Sequence, residues 1–103
     1  MLTQFEKEVL KNIAKVPLGK VTTYKDLACA IGRPRSARAV GNALNKNPDA
    51  PTVPCHRVVK SDGRLGGYAW GVKKKIGLLK DEGVLIKNGR VVDFENRLYI
   101  FKK

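Results

Sequence analysis

The residues best suited to chemistry stand together at Cys55 and His56, where one of the two cysteines directly precedes the only histidine. A cysteine thiolate is a strong nucleophile, and an imidazole beside it can accept or deliver a proton. Arg57 and Lys60 add positive charge, which favours the thiolate form of the sulfur. Neighbouring side chains in an extended segment point to opposite faces, so we expect Cys55 and His56 to interact only across a turn or through a water molecule. The alternative is a buried structural thiol beside a structural histidine.

Cysteine and histidine also bind metals, but this chain offers too few of them. Cys29, Cys55 and His56 are one ligand short of a structural zinc site, and adjacent residues chelate one ion poorly. We therefore expect no metal and no cofactor. The absence of an apolar N-terminal signal indicates reduced thiols and a cytoplasmic protein, nucleoid-associated or nuclear according to the organism. Cys29 is expected to pack as a small apolar side chain.

The charge balance is strongly basic, with 21 Lys and Arg residues against nine Asp and Glu residues and a formal net charge of +12. This surplus favours a polyanionic partner, because phosphate neutralisation and counterion release dominate non-specific binding to nucleic acids. Membrane-surface binding is the weaker alternative, since no long amphipathic helix sets lysines opposite large apolar side chains. With 103 residues, the chain is expected to form one domain, residues 1–103, around a modest core.

Helices are expected wherever apolar spacing and end signals agree. Thr3, with Glu6 three residues later, forms a capping-box pattern that opens the first helix, and Thr23 caps the second. Gly83 is the expected end signal of the fourth. The predicted helical ranges are 3–15, 23–31, 35–45 and 70–82.

The second and third helices, joined by a short glycine-containing link, are typical of a helix-turn-helix. Many such helix pairs never touch DNA, but the basic net charge favours a DNA-binding interpretation. The third helix would present one polar sector made of Arg35, Arg38, Asn42 and Asn45.

Small β elements are expected in the tail, residues 83–103. Asn88-Gly89 between two β-branched runs predicts a β-hairpin, and residues 97–101 alternate like a further short strand. The predicted fold class is therefore mainly α with small β elements, in a single winged helix-turn-helix-like domain.

Five blocks of sequence, in a fixed order and spacing, carry a resemblance to a known family. The blocks are Ala37-Arg38-Ala39-Val40-Gly41, Asn47-Pro48, Pro54-Cys55-His56-Arg57-Val58, Gly66-Gly67-Tyr68 and Leu78-Leu79-Lys80-Asp81-Glu82-Gly83. Over residues 2 to 85 the sequence resembles the C-terminal, DNA-binding and active-site domain of the O6-alkylguanine-DNA alkyltransferases. The N-terminal domain found in most members would be absent, so that the chain begins at the DNA-binding domain.

The resemblance implies direct-reversal DNA repair in a single turnover by a methylated-DNA protein-cysteine S-methyltransferase. An alkyl group, mainly methyl, would pass to Cys55 from O6 of a guanine flipped out of double-stranded DNA, with O4-alkylthymine as a further candidate lesion. His56 would be the base acting through a water, and Glu82 the carboxylate that orients the imidazole. Asn47 would hold the turn before the active site.

The resemblance also implies which residues meet DNA. Arg38 would enter the base stack in place of the extruded base, and Tyr24 would drive backbone rotation and touch the base. The recognition helix would dock in the minor groove, where sequence readout is poor, which suits repair at any sequence. The protein would act as a monomer and bind no membrane. The DNA-binding set is Tyr24, Arg35, Arg38, Asn42 and Arg57, and the substrate pocket is Tyr24, Val58, Tyr68, Ala69 and Trp70.

Three other functions fit part of the sequence. Alkyltransferase-like proteins bind alkylated guanine without repairing it, but they carry tryptophan where this chain has Cys55. A DNA-binding regulator with a structural or redox-sensing cysteine would bind specific sequences and show no mass change with alkylated DNA. A cysteine hydrolase would leave the basic charge and the helix-turn-helix without a task.

Overall fold

Five short helices and four two-residue strands build the part of the chain that the computed structural model describes, residues 2–48 and 52–101. None of these helices is long and apolar enough to cross a membrane. The elements in chain order are α1 (Gln4–Ile13), β1 (Thr22–Thr23), α2 (Tyr24–Ala30), α3 (Ala37–Leu44), a 3₁₀ turn (Cys55–Arg57), β2 (Val58–Val59), α4 (Val72–Asp81), β3 (Ile86–Lys87), β4 (Arg90–Val91) and α5 (Phe94–Arg97).

The helix starts follow the predicted capping signals. The Thr3 hydroxyl accepts a hydrogen bond from the Glu6 backbone N–H at 3.1 Å, and the Glu6 carboxylate accepts from the Thr3 N–H at 2.9 Å. This reciprocal capping box satisfies two backbone donors that a helix start leaves unpaired. Thr23 caps α2 through a hydrogen bond from the Asp26 N–H at 3.0 Å.

The first three helices pack around one core cluster that also contains Cys55. The packing that folds the helix-turn-helix therefore also fixes the position of the candidate nucleophile. The other buried members of the cluster are Val9, Leu10, Ile13, Val16, Leu27, Ala28, Val40, Ala43, Leu44 and Val58.

Cys29 does not pack in this core, so the prediction of a buried small side chain is wrong. It is exposed on α2, while Leu27 and Ala28 are buried. At about 100° per residue, Cys29 lies nearly opposite the stripe formed by Leu27, Ala28 and Ile31.

A short parallel pairing joins the helix-turn-helix to the Cys55 segment. Thr22 in β1 pairs with Val58 in β2, and Thr23 pairs with Val59. Because α2 follows β1 directly and β2 follows the 3₁₀ turn directly, this pairing sets the start of α2 beside Cys55.

The tail packs on a second core cluster through the predicted hairpin. Strand β3 pairs antiparallel with β4, and Asn88 and Gly89 between them have φ values of 53° and 76°, as a two-residue hairpin turn of type I′ requires. The strand predicted at 97–101 is wrong, because Arg97 ends α5 and Leu98 forms only an isolated parallel bridge with Val21. The buried members of this cluster are Val21, Val59, Leu65, Leu79, Val84 and Val91.

Helix α4 buries a lysine beside its apolar residues. The spacing of Val72, Ile76 and Leu79 predicts that all three face inward. Leu79 is buried and Ile76 is partly buried, but Val72 is 45 % exposed and Lys75 is fully buried. Lys75 lies four residues before Leu79 and so shares its side of the helix. Three hydrogen bonds from its ammonium to backbone carbonyls offset the loss of water.

The contact between α5 and the turn at Gly63 predicts opposite effects for two glycine substitutions. Gly63 has a φ of +86°, and a Cβ there would lie 3.1 Å from Cγ of Phe94. We expect Gly63→Ala to lower the free energy of unfolding by about 1–3 kcal/mol, because alanine resists this backbone conformation and crowds the ring.

Gly77→Ala is the matched control, since a Cβ at this position of α4 meets nothing within 4 Å. It should raise the free energy of unfolding by about 0.5–1 kcal/mol. Urea denaturation measures both variants, and an unchanged or increased stability of Gly63→Ala would contradict the packing of α5 on this turn.

Candidate active site

Cys55 opens the 3₁₀ turn that leads into β2, and its side chain is 5 % exposed. The Asn47 amide donates one hydrogen bond to the Val53 carbonyl at 2.7 Å and another to the Cys55 sulfur at 3.4 Å. Asn47 thus ties the chain that leaves α3 to the segment that enters the site.

His56 and Arg57 hold the same carboxylate, that of Glu82 at the C-cap of α4. The Nε2 atom of His56 lies 2.9 Å from Oε2 of Glu82. Arg57 donates from Nε to Oε1 at 2.9 Å and from Nη2 to Oε2 at 2.8 Å. A third bond, from Nη1 to the Val16 carbonyl at 2.7 Å, fixes the guanidinium against the segment that follows α1. Glu82 is therefore held in one orientation relative to the imidazole.

The protonation states at this cluster suit proton transfer by His56. Burial alone would raise the pKa of Glu82, but hydrogen bonds from Arg57 and His56 outweigh it and hold the pKa below its usual value. Burial lowers the pKa of His56 more than Glu82 raises it. An ionised carboxylate only accepts, so Nε2 of a neutral His56 carries the hydrogen and Nδ1 keeps its lone pair. Nδ1 is buried and has no hydrogen-bond partner among the described residues, which leaves it available as a base.

An open groove of about 770 Å³ lies between α2, α3 and the loop before α4. Tyr24 and Tyr68 line this groove and pack against the core cluster that contains Cys55. Burial and then the charge of a Cys55 thiolate raise the pKa of both phenols, that of Tyr68 to about 12. The Tyr68 ring also stands edge-on to the His56 ring, with centroids 6.4 Å apart. The lining residues are Tyr24, Ala37, Arg38, Gly41, Asn42, Asn45, Lys60, Gly67, Tyr68 and Ala69.

Two glycines make room for Tyr24 at the groove. A Cβ on Gly66, whose φ is +73°, would lie 3.1 Å from the Tyr24 hydroxyl, and a Cβ on Gly41 would lie 3.5 Å from its Cε1. Because Gly66 has no side chain, its backbone can lie close to the Tyr24 hydroxyl.

The structure brings five of the predicted DNA-contact and pocket residues together along the groove: Tyr24, Arg38, Asn42, Tyr68 and Ala69. Arg35 is exposed in the turn before α3.

Three predicted residues have other positions. Val58 and Trp70 do not line the groove, because Val58 is buried in β2 and Trp70 is 54 % exposed beside Tyr68, with ring centroids 6.4 Å apart. Arg57, which was predicted to contact DNA, also lies outside the groove lining. Its side chain is 14 % exposed, and its guanidinium is turned inward onto Glu82 and the Val16 carbonyl.

Gly41 and Lys75 were not predicted from the sequence as site residues, whereas Lys60, predicted to favour the thiolate by its charge, lines the groove. Gly41 shares a helical side with Arg38 and Asn45, three and four residues away, so the spacing contained that signal. Lys75 shared the buried side of α4, but a lysine is rarely expected inside a protein.

Comparisons with known proteins identify the family. The family model described as "6-O-methylguanine DNA methyltransferase, DNA binding domain" matches residues 4–84. The chain therefore belongs to this family, and the predicted resemblance is confirmed. It is 52 % identical over 80 residues to the methylated-DNA--protein-cysteine methyltransferase of Methanosarcina barkeri, covering 78 % of this chain and 51 % of that protein. The chain thus spans about half the length of such relatives.

Solved structures confirm the predicted winged helix-turn-helix-like fold class. The crystal structure of Mycobacterium tuberculosis OGT in complex with DNA is similar with a TM-score of 0.78 and 43 % identity, covering 80 % of this chain and 51 % of that chain. The crystal structure of S. pombe Atl1 in complex with damaged DNA containing O6-carboxymethylguanine is similar over more of the chain. Its TM-score is 0.83 at 29 % identity, and the match covers 96 % of this chain and 98 % of that chain.

The Glu82 cluster predicts a stability that falls in acid. The pKa of Glu82 in the folded chain lies below the ordinary value of 4.5. Glu82 therefore contributes fully to the free energy of unfolding above pH 4.5, and this contribution is lost as the pH falls through the folded pKa. The lowered pKa of His56 acts in the same direction, because below 6.5 the unfolded chain binds a proton that the folded chain resists. Glu82→Gln should lower the free energy of unfolding at neutral pH by about 2 kcal/mol, since Arg57 loses a charged partner.

Urea denaturation across the acid range measures this effect. Between about pH 5 and pH 3 the stability of Glu82→Gln should depend less on pH than that of the wild type. The control Glu95→Gln, exposed in α5, should keep the wild-type pH dependence. Parallel pH curves for Glu82→Gln and the wild type would show that the carboxylate contributes nothing.

Proposed function

We propose that this chain repairs alkylated DNA by direct reversal, moving an alkyl group, mainly methyl, from O6 of guanine to Cys55 in a single turnover. The observation that carries the proposal is the buried His56, adjacent to Cys55 and oriented by Glu82 at 2.9 Å. Family membership and relatives named methylated-DNA--protein-cysteine methyltransferase support it. O4-alkylthymine is a second candidate lesion for the same sulfur.

The proposed reaction uses a thiolate and one mobile proton. The Cys55 thiol passes its proton through a water to Nδ1 of His56, and Glu82 stabilises the imidazolium that forms. The thiolate attacks the alkyl carbon, so that a C–S bond forms as the C–O bond breaks and the electron pair leaves with the guanine oxygen. The proton from His56 then restores neutral guanine. The thioether left on Cys55 has no route back to a thiol, which makes the protein a one-use acceptor.

The groove is the proposed place for the flipped base and the DNA around it. Tyr24 and Arg38 line it together, and a net charge of +12 favours binding to phosphates. In this proposal α3 docks in the minor groove of double-stranded DNA, Arg38 fills the space left by the extruded base, and Asn42 and Arg35 contact the backbone. The protein acts as a monomer.

Lesion binding without transfer is the second candidate function. It is favoured by the similarity to S. pombe Atl1, which extends over 96 % of this chain, including most of the tail beyond residue 84. The presence of Cys55 favours transfer, because Cys55 directly precedes His56 and belongs to the core cluster against which Tyr24 and Tyr68 of the groove pack.

Intact-mass measurement after incubation with a duplex containing O6-methylguanine tests the transfer. The wild type should gain one methyl group in place of one hydrogen, and Cys55→Ser should gain none. The matched control Cys29→Ser removes the exposed thiol of α2 and should gain the methyl normally. Tight binding of the wild type without a mass gain would reject transfer in favour of lesion binding.

The proposed role of Arg38 in base flipping predicts a substrate-dependent defect. Arg38→Ala should slow transfer from duplex DNA by about tenfold or more, because nothing then offsets unpairing and unstacking. Transfer from single-stranded DNA, which needs little flipping, should change much less.

Arg64→Ala is the control for lost charge. Arg64 is exposed, pairs with Asp62 at 2.9 Å and does not line the groove. The ratio of duplex to single-strand rates should stay at the wild-type value in this variant. An equal defect of Arg38→Ala on both substrates would contradict the flipping role.

A further inference from the structure

Lys60 is a groove-lining cation with no anionic partner in the part of the chain that the structure describes. It lies directly after β2 and is exposed. Lys60 and Arg38 are the two cationic residues among the described ones that line the groove, and this lining includes no Asp or Glu. No salt bridge between described residues includes Lys60. Its charge is therefore available to an anion that enters the groove.

The pairing of β1 with β2 sets Lys60 beside Tyr24. Thr23 pairs with Val59 in a parallel register, and Tyr24 and Lys60 are the next residues of the two segments. Because paired strands lie about 4.8 Å apart, the two backbones are neighbours at the point where they leave the pairing.

The side chains of Lys60 and Tyr24 approach the same point of the groove loop. A Cβ on Gly66 would lie 3.1 Å from the Tyr24 hydroxyl and 3.7 Å from Cγ of Lys60. The Lys60 ammonium is carried beyond this Cγ on a flexible stem. It can therefore contact an anion bound next to the Tyr24 hydroxyl.

A tight turn fixes the backbone from which this side chain extends. The Lys60 carbonyl accepts a hydrogen bond from the Gly63 N–H at 2.9 Å, and the Lys60 N–H donates to the Arg64 carbonyl at 2.9 Å. Neither bond uses the Lys60 side chain, so a substitution that removes only the ammonium leaves the turn in place.

A backbone phosphate of DNA is the anion that fits this position. In the proposed function Tyr24 touches the extruded base and drives rotation of its backbone, so a phosphate next to the flipped nucleotide passes close to Tyr24. Tyr24 does not neutralise this charge, because burial raises the pKa of its phenol and keeps it uncharged. Arg38 is assigned to the base stack, whereas a lysine ammonium is a common phosphate ligand.

We propose that Lys60 is a positioning residue for alkyl transfer, whose ammonium binds one backbone phosphate beside the flipped nucleotide and stabilises the extruded conformation. This inference rests on the proposed function, in which Cys55 takes the alkyl group from a flipped base. It concerns a single phosphate, unlike the general attraction between DNA and the basic surface of the protein.

Neutralising single phosphates tests this contact. The duplexes contain O6-methylguanine and one uncharged methylphosphonate, placed in turn at each phosphate near the lesion on either side. The methyl-transfer rate of the wild type, measured below saturation, should fall about tenfold at one position next to the lesion. Lys60→Met should transfer about tenfold more slowly from the fully charged duplex and lose nothing further at that position, because both changes remove the same contact.

Two further variants separate the contact from a general effect of charge or folding. Lys60→Arg should keep most of the wild-type rate, because it retains the positive charge. Lys80→Met, exposed in the last turn of α4, should keep the wild-type rate and the wild-type loss at the sensitive phosphate. Additive losses in Lys60→Met, or the lack of a sensitive phosphate beside the lesion, would overturn the proposal.

A binding measurement keeps this result distinct from that of the proposed function. The affinity of Cys55→Ser for the same duplexes, with and without Lys60→Met, repeats the comparison when no transfer can occur. If the wild type gains no methyl group from lesion DNA, the proposed function fails. The affinities then still support the phosphate contact if the two losses coincide, and overturn it if they add.

Discussion

The Glu82 carboxylate receives hydrogen bonds from His56 at 2.9 Å and from Arg57 at 2.8 and 2.9 Å. This shared carboxylate is the constraint on which the site depends. It joins the C-terminal end of α4 to the turn that carries Cys55, and it fixes which imidazole nitrogen holds the hydrogen. Arg57 keeps Glu82 ionised and Glu82 keeps His56 oriented, so that the orientation of the imidazole next to Cys55 is determined by a residue at the C-cap of α4.

The two core clusters supply the frame for this arrangement. The first packs α1, α2 and α3 together with Cys55 and Val58, and the second packs α4 with the tail. Strands β1 and β2 pair across the boundary between them. Because Cys55 belongs to one cluster and Glu82 follows the helix of the other, the proposed catalytic arrangement forms only when both are packed. A small chain thus obtains a precise site from short elements.

Local signals were predicted well from the sequence, and inward-turned charged groups were not. The caps at Thr3 and Thr23 and the Asn88-Gly89 hairpin depend on neighbouring residues, so sequence is sufficient to find them. Arg57 was predicted to contact DNA, and Lys75 was given no role. Their inward positions depend on acceptors far along the chain: Glu82, 25 residues from Arg57, and Leu65 and Val58, 10 and 17 residues from Lys75. The groove itself could be anticipated only through the family resemblance, since it is formed by separate segments.

The protonation state of His56 tests this account most directly. Nitrogen NMR of His56 across the pH range distinguishes the two neutral tautomers from the imidazolium. The account predicts a neutral ring at pH 7 with hydrogen on Nε2, an unprotonated Nδ1 and a midpoint below 6.5. An imidazolium at neutral pH, or hydrogen on Nδ1 of the neutral ring, would contradict it, because His56 could then not accept the proton of Cys55.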